Sequence, residues 1–224
     1  MVHSRLFSGW EPRNVATDFG AVSYRAQGDF VVLNRHGAGE PLPPHAINHR
    51  ANIRALANLG FRDVIAFNSV GSLKPDLPPG TFVSCSDYVA LQQGPATYFD
   101  AELKGTVPRI ANNLVQKFAA RLAQEFTIVS GRTYVQMRGP RFETRAEINL
   151  IRHWGDVVGM TLAHEADLCA ELGLNLNSLA MVDNFANGIE GNSLDYLKFK
   201  EQVKANQEKV DCLFAGLLAI LTES

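Results

Sequence analysis

Four short polar clusters in this chain combine residue types that can bind an anion or a sugar hydroxyl. Each cluster ends a short apolar run, at the point where a strand would end. The clusters are Asn34-Arg35-His36-Gly37, Asn68-Ser69-Val70-Gly71-Ser72, Gly159-Met160-Thr161 and Asp183-Asn184. Because α/β sheets bind ligands beyond the carboxyl ends of their strands, this repetition predicts one site built from several strand ends.

The first three clusters suit an anionic ligand. Arg35 offers positive charge and His36 a further donor, and Thr161 adds a hydroxyl. A turn at residues 68–72 would present successive backbone N–H groups and two hydroxyls, a combination that suits phosphate or a sugar hydroxyl. Arg35 taken alone fits an ordinary surface ion pair equally well, so the prediction depends on the clusters together.

A fifth segment, RGPRFETRAE at residues 138–147, suits a planar ring. Its Gly-Pro pair predicts a turn before a helix, and that turn would present Phe142 and Glu143. Phe142 can stack on a planar base, and Glu143 can accept a hydrogen bond from a base N–H. Thr144 and Glu147 have the spacing of a capping box, which leaves Phe142 and Glu143 free for a ligand.

The elements that must position these clusters alternate along the chain. Strands are predicted over residues 29–34, 63–68, 81–86, 133–137, 157–160 and 176–182. Helices are predicted over residues 45–59, 110–126, 144–154 and 163–172, and from an N-cap at Ser193 to about residue 221. This alternation predicts an α/β fold, a single domain with a twisted, mostly parallel or mixed sheet flanked by helices.

Composition excludes several classes of function. The 224 residues carry a net charge of −2, which does not favour a nucleic acid or an anionic membrane surface as partner. Three widely separated cysteines lack metal-ligand spacing, so we expect no metal and a reducing compartment. The N-terminus does not resemble a secretory signal, and the longest apolar stretch, residues 213–221, is too short to span a bilayer. We therefore expect a cytoplasmic protein without a membrane partner.

The chain resembles the trimeric purine nucleoside phosphorylases and methylthioadenosine phosphorylases. The resemblance is carried by NRHG (34–37), PPHAINHRANIRAL (43–56), NSVGS (68–72), GPRFETRAE (139–147), VVGMTLAHEADLCAELGL (157–174) and LAMVDNFANG (179–188). It implies a nucleoside phosphorylase-like α/β fold, a homotrimer, and phosphorolysis of a purine nucleoside to a free base and a sugar 1-phosphate. Inorganic phosphate would be a co-substrate, and no cofactor is implied.

The resemblance also implies a role for each candidate residue. Arg35, His36, Ser69 and Thr161 would hold phosphate. The substrate would be lined by Phe142, Met160 and Val70, with Phe142 near the base. Glu143 and Asn184, with Asp183 beside them, would act at the base edge as the catalytic residues.

Base and sugar preferences follow from hydrogen-bonding complementarity. Glu143 can accept from the N1–H of a 6-oxopurine, and the Asn184 amide can donate to O6, so a 6-oxopurine is favoured over adenine. Leu194 and Leu197 fall where methylthio-selective relatives place apolar pocket residues, which favours an apolar 5′-substituent as in methylthioinosine. The same leucines could instead only pack the last helix.

Three departures from the family keep alternatives open. Residues 1–28 form a divergent segment before the nucleoside phosphorylase-like domain at 29–224. This segment lacks the usual G-G-[ST]-G phosphate turn, and Phe7-Ser8-Gly9 matches that motif only weakly. Asp183 resembles the acid of related nucleosidases, which use water. Residues 88–108 are short for the family and contain no histidine. The alternatives are a hydrolase, a methylthioadenosine phosphorylase and a non-catalytic paralogue.

Overall fold

The N-terminal part of the chain folds as a small antiparallel sheet. The computed structural model describes residues 4–91, 94, 96–191 and 193–223. Strands β1 (Glu11–Thr17), β2 (Gly20–Gln27) and β3 (Phe30–Val32) pair in that order, so the sheet includes residues on both sides of position 28. The buried strand predicted at residues 29–34 is only the three-residue β3, and it is half-buried because it pairs with β2 alone.

A five-stranded closed barrel forms the centre of the molecule. Its strands are β4 (Asp63–Ser72), β5 (Phe82–Val89), β6 (Ile128–Gln136), β7 (Val157–Gly159) and β8 (Asn175–Phe185). The order around the barrel is β4-β7-β6-β5-β8, with three parallel pairings and two antiparallel ones. The predicted α/β fold with a mixed sheet is therefore confirmed.

Helices cover the barrel, and their ends follow local capping chemistry. They are α1 (His49–Asn58), α2 (Asn113–Arg121), α3 (Arg145–Ile151), α4 (Leu162–Glu171), α5 (Tyr196–Ala205) and α6 (Gln207–Thr222). The predicted capping box is present at α3: Thr144 accepts from the N–H of Glu147, whose carboxylate accepts from the N–H of Thr144. Asn48 caps α1, so that helix begins four residues after the predicted start.

The long last helix predicted from Ser193 is wrong in two respects. Asp195, rather than Ser193, is the N-cap, because its carboxylate accepts from the N–H groups of Leu197 (2.8 Å) and Lys198 (3.1 Å). The helix is also divided into α5 and α6 at Asn206, whose amide side chain bonds inward to Asp183. Helix α5 lies beside the carboxyl end of β8.

Hydrophobic packing fixes the helices on the barrel. Residues of α1 and α4 pack against β4 and β8 in one core cluster, and the α6 stripe packs with Phe118 of α2 in another. The α6 residues in that stripe recur every three or four positions, as one helix face requires: Val210, Leu213, Phe214, Leu217 and Ile220. No helix among the described residues is long and apolar enough to cross a membrane.

Candidate active site

Three cavities contain most of the candidate residues. The arginine cavity, about 770 Å³, is lined by residues 32–36, the middle of β4, the last part of β8, α5 and the start of α6. The glutamate cavity, about 660 Å³, is formed by residues 137–141 with Glu143. The leucine cavity, about 160 Å³, has Leu194 and Asn184 in its wall and shares Asp183 with the arginine cavity.

Arg35 lies in the arginine cavity with much of its hydrogen-bonding capacity already used. Its Nε donates to one carboxylate oxygen of Glu165 (2.6 Å) and its Nη2 to the other (3.2 Å). Its Nη1 donates to the carbonyl of Phe67 (2.6 Å). A guanidinium has five N–H groups, so two remain for a ligand. Because Glu165 is buried, the pair offsets most of the arginine charge.

Ser69 and Asp183 meet at the floor of the arginine cavity. The Ser69 hydroxyl donates to Asp183, and the Asn206 amide donates to the other carboxylate oxygen at 2.7 Å. Burial raises the pKa of Asp183, although these two hydrogen bonds oppose the shift. A buried carboxyl group with a raised pKa can carry a proton nearer neutral pH than an exposed aspartate can.

The turn predicted at residues 68–72 is not formed. These residues continue strand β4 and pair in parallel with β8, from Asn68 with Ala180 to Ser72 with Phe185. Pairing with β8 engages alternate N–H groups of the strand, and the register shifts between Val70 and Gly71, so the predicted run of successive N–H groups facing one ligand is not formed. Ser69 keeps its place at the cavity, whereas Val70 lies in the hydrophobic core with 2% exposure.

His36 and Thr161 are placed differently. His36 lines the arginine cavity, and its Nδ1 lies 2.8 Å from the carbonyl of Leu42. Burial lowers the pKa of His36, which favours the neutral ring. Thr161 is buried at the start of α4, where its hydroxyl accepts from the Asn68 amide (2.8 Å). Thr161 does not line the arginine cavity in this structure.

The glutamate cavity presents a buried carboxylate. Glu143 is 7% exposed, and burial raises its pKa. Met160 packs against the turn that precedes Glu143, since a Cβ atom on Gly139 would lie 2.6 Å from the Met160 sulfur. Phe142 packs edge-to-face on Phe199 of α5, with ring centroids 5.4 Å apart. Phe142 thus connects the segment 138–147 to helix α5, whose Phe199 lines the arginine cavity.

The last cluster lies at the end of β8. Asn184 donates one amide hydrogen to the Phe185 carbonyl (2.8 Å), so the second amide hydrogen is left for a ligand. Leu194 lines the leucine cavity beside it. Leu197 is 69% exposed and does not line that cavity. The structure therefore places one of the two predicted leucines near the site.

Several residues of this site were not anticipated from the sequence. Glu165 pairs with Arg35 across 130 positions, and Asn206 positions Asp183. No regular spacing of residues along the sequence indicates either of these two contacts. Lys200 and Lys204 line the arginine cavity from α5, and their four-residue spacing on one helix face was a usable signal. Among the described residues, no cluster of His, Cys, Asp and Glu could hold a metal ion.

Comparisons with known proteins agree with this architecture. A model of the phosphorylase superfamily matches residues 8–220. A protein of Archaeoglobus fulgidus named "Probable 6-oxopurine nucleoside phosphorylase" is 37% identical over 187 residues, which are 83% of this chain and 76% of the relative. One of Methanocaldococcus jannaschii named "Probable S-methyl-5'-thioinosine phosphorylase" is 38% identical over 194 residues, 82% of this chain and 75% of the relative.

The fold is similar to that of a solved enzyme with a bound base. A variant of adenosine/methylthioadenosine phosphorylase from Schistosoma mansoni, in complex with adenine, superposes with a TM-score of 0.82 at 26% sequence identity. The match covers 97% of this chain and 89% of that one.

Proposed function

Since this chain belongs to the phosphorylase superfamily, we propose that it catalyses the phosphorolysis of a purine nucleoside, giving free base and sugar 1-phosphate. The observation that carries the proposal is the arginine cavity, which gathers Arg35, His36 and Ser69 and shares Asp183 with the cavity that Asn184 lines. The relatives named as 6-oxopurine nucleoside and methylthioinosine phosphorylases support the same reaction.

The reaction needs stabilisation of charge at both ends of the breaking bond. Phosphate attacks C1′ as the bond to the purine breaks, through an oxocarbenium-like transition state. The two free N–H groups of Arg35 would donate to phosphate, with His36, Ser69 and Thr161 as further candidate ligands. Negative charge develops on the leaving purine, so a donor at N7 lowers the barrier. We assign that donor to the end of β8, where Asn184 and Asp183 lie. Inorganic phosphate is the co-substrate, and no cofactor is required.

The favoured base is a 6-oxopurine. The buried Glu143 carboxylate would accept from N1–H, and the free Asn184 amide hydrogen would be donated to O6. Adenine presents an acceptor at N1, so it would face Glu143 without a matching donor, which costs binding energy at a buried site. Leu194 beside Asn184 supports an apolar 5′-substituent, as in methylthioinosine.

We also propose that the chain acts as a cytoplasmic homotrimer. The support is the likeness to the trimeric enzymes, together with three strongly exposed apolar side chains in the segment expected near the interface: Leu91, Leu103 and Val107. Isolated exposed apolar residues are common, but three within one short segment suit a contact with another protomer. Light scattering at micromolar concentration tests this assembly, and a stable monomer contradicts it.

One observation supports a second candidate, hydrolysis by water. Asp183 is a buried carboxyl group whose pKa is raised by burial, as a general acid at N7 requires. The pairing of Arg35 with Glu165 also reduces the charge available to phosphate. Phosphorolysis remains the proposal because a water-binding site has no use for the arginine and histidine of the cavity.

Base release distinguishes these functions. Inosine, methylthioinosine and methylthioadenosine are each incubated with the enzyme, with and without phosphate. We expect release that requires phosphate and is most efficient with a 6-oxopurine nucleoside. Full-rate release in phosphate-free buffer supports the hydrolase. A preference for methylthioadenosine contradicts the base assignment, and no release from any substrate supports the non-catalytic paralogue.

A further inference from the structure

Helix α5 presents one face to the arginine cavity. The α5 residues that line the cavity are Phe199, Lys200, Val203 and Lys204. Their spacing of one, three and four positions places them on adjacent turns of a single face. The two exposed lysines therefore line the same opening as Arg35 and Ser69, although α5 follows these residues by roughly 130 to 170 positions in the chain.

The charges of this cavity are unbalanced. Arg35 is compensated by Glu165, but neither Lys200 nor Lys204 forms an ion pair with any described residue. Lys200 has only the ring of Tyr196 beneath it, with Nζ 4.6 Å from the centroid. Asp183 is the one carboxyl group that lines the cavity among the described residues. Two uncompensated cations facing a cavity raise the local concentration of a small anion and favour its binding.

The rest of the cavity offers few donors to a doubly charged anion. Residues 68–72 form part of strand β4, with a register shift between Val70 and Gly71, rather than the glycine-rich turn that would direct successive N–H groups at an anion. The Ser69 hydroxyl donates to Asp183, and only two N–H groups of Arg35 remain. Lysine ammonium groups carry three donors each and bind phosphate as point charges, so they can supply what this backbone does not.

We propose that Lys200 and Lys204 bind the phosphate co-substrate in the arginine cavity, where they supply the charge that other phosphate sites obtain from a backbone cradle. This inference rests on the proposed phosphorolysis. It assigns α5 a direct role in the reaction, because the helix brings two phosphate ligands to the strand ends that hold the nucleoside.

Steady-state kinetics with phosphate as the varied substrate test the assignment. Lys200→Ala and Lys204→Ala should each raise the KM for phosphate roughly 5-fold, and the double variant roughly 25-fold, as expected for charge-assisted contacts of about 1 kcal/mol each. The KM for the nucleoside should change little. Lys209→Ala is the matched control, because Lys209 lies on α6 outside the cavity and its ammonium contacts the Gly80 carbonyl. The double change to arginine keeps both charges and should restore most of the affinity for phosphate.

A binding measurement separates failure of this inference from failure of the proposed function. The Tm of each protein is measured in phosphate and in chloride at equal ionic strength. We expect phosphate to raise the Tm of the wild type and the Lys209→Ala control, and to raise the Tm of the double Lys→Ala variant by a clearly smaller amount. An equal rise in all three proteins overturns the inference even if phosphorolysis is real. If base release proves independent of phosphate but the Tm difference persists, the proposed function fails while the anion site stands.

Discussion

The pairing of Arg35 with Glu165 makes a quantitative prediction for the Arg35→Ala variant. The two side chains are only 17% and 8% exposed, and two N–H groups of the guanidinium meet the carboxylate. Removing Arg35 leaves Glu165 buried without a counter-charge and leaves the Phe67 carbonyl without its donor. Loss of one partner of a buried pair costs about 3–5 kcal/mol, and the partial exposure of Arg35 favours the lower end, about 3 kcal/mol.

Urea unfolding followed by tryptophan fluorescence measures this cost. With a slope of about 2–3 kcal/mol per molar urea, we expect the midpoint to fall by about 1 M. The double variant Arg35→Met with Glu165→Met removes both charges, and its midpoint should lie much closer to that of the wild type. The reasoning is refuted if Arg35→Ala loses less than about 1 kcal/mol, or if the double variant is as unstable as the single one.

Three further predictions follow from burial and packing. Burial raises the pKa of Glu143, so kcat/KM for a 6-oxopurine nucleoside should fall as the pH drops through that raised value. Glu143→Gln should be about 100-fold slower, and its kcat/KM should lack this fall at acidic pH. A variant whose kcat/KM still falls in the same way contradicts the assignment. Burial lowers the pKa of His49 to about 3 in the folded protein, whereas a histidine in the unfolded chain becomes protonated below about pH 6.5. The contribution of neutral His49 to the free energy of unfolding is therefore complete above about pH 6.5. It falls by up to about 1.4 kcal/mol for each pH unit of acidification below that value. His49→Phe should reduce this slope in urea midpoints measured at pH 7 and pH 5, and an unchanged slope excludes His49 as its source. A Cβ atom at position 159 would overlap the Tyr134 hydroxyl, which accepts a hydrogen bond from the N–H of Thr161. Gly159→Ala should therefore lower the free energy of unfolding by about 2 kcal/mol and the Tm by about 6 °C. An unchanged Tm would contradict this prediction, because it would show that Tyr134 can move aside.

Local signals in the sequence predicted much of the fold. The alternation of apolar runs and amphipathic segments identified the strands and helices of the barrel, and the capping box at Thr144 and Glu147 was confirmed atom by atom. These features depend on residues a few positions apart. Propensity and spacing therefore suffice to find them.

Features that depend on distant partners could not be predicted in this way. The 68–72 cluster is predicted as a turn because glycine and serine are typical of turns. In the structure these residues extend strand β4, because β8 provides a long parallel strand for them to pair with. The compensation of Arg35 by Glu165 depends on how α4 packs over β4. The division of the last helix at Asn206 depends on a hydrogen bond to Asp183, 23 positions earlier.

The same limit applies to the candidate site. The clusters at the strand ends were predicted, and the structure brings Arg35, His36, Ser69 and Asp183 to one cavity. The roles of these residues in binding and catalysis remain predictions. The four-residue spacing of Lys200 and Lys204 indicates one helix face, but no local pattern shows that this face lines the cavity.

The central claim is that phosphate, rather than water, receives the sugar. The most direct measurement is ³¹P NMR of a reaction containing enzyme, a 6-oxopurine nucleoside and inorganic phosphate, with the free base quantified in the same sample. We predict one equivalent of sugar 1-phosphate for each equivalent of base released, and no release when phosphate is omitted. Base released together with free sugar, at an undiminished rate without phosphate, would contradict the account.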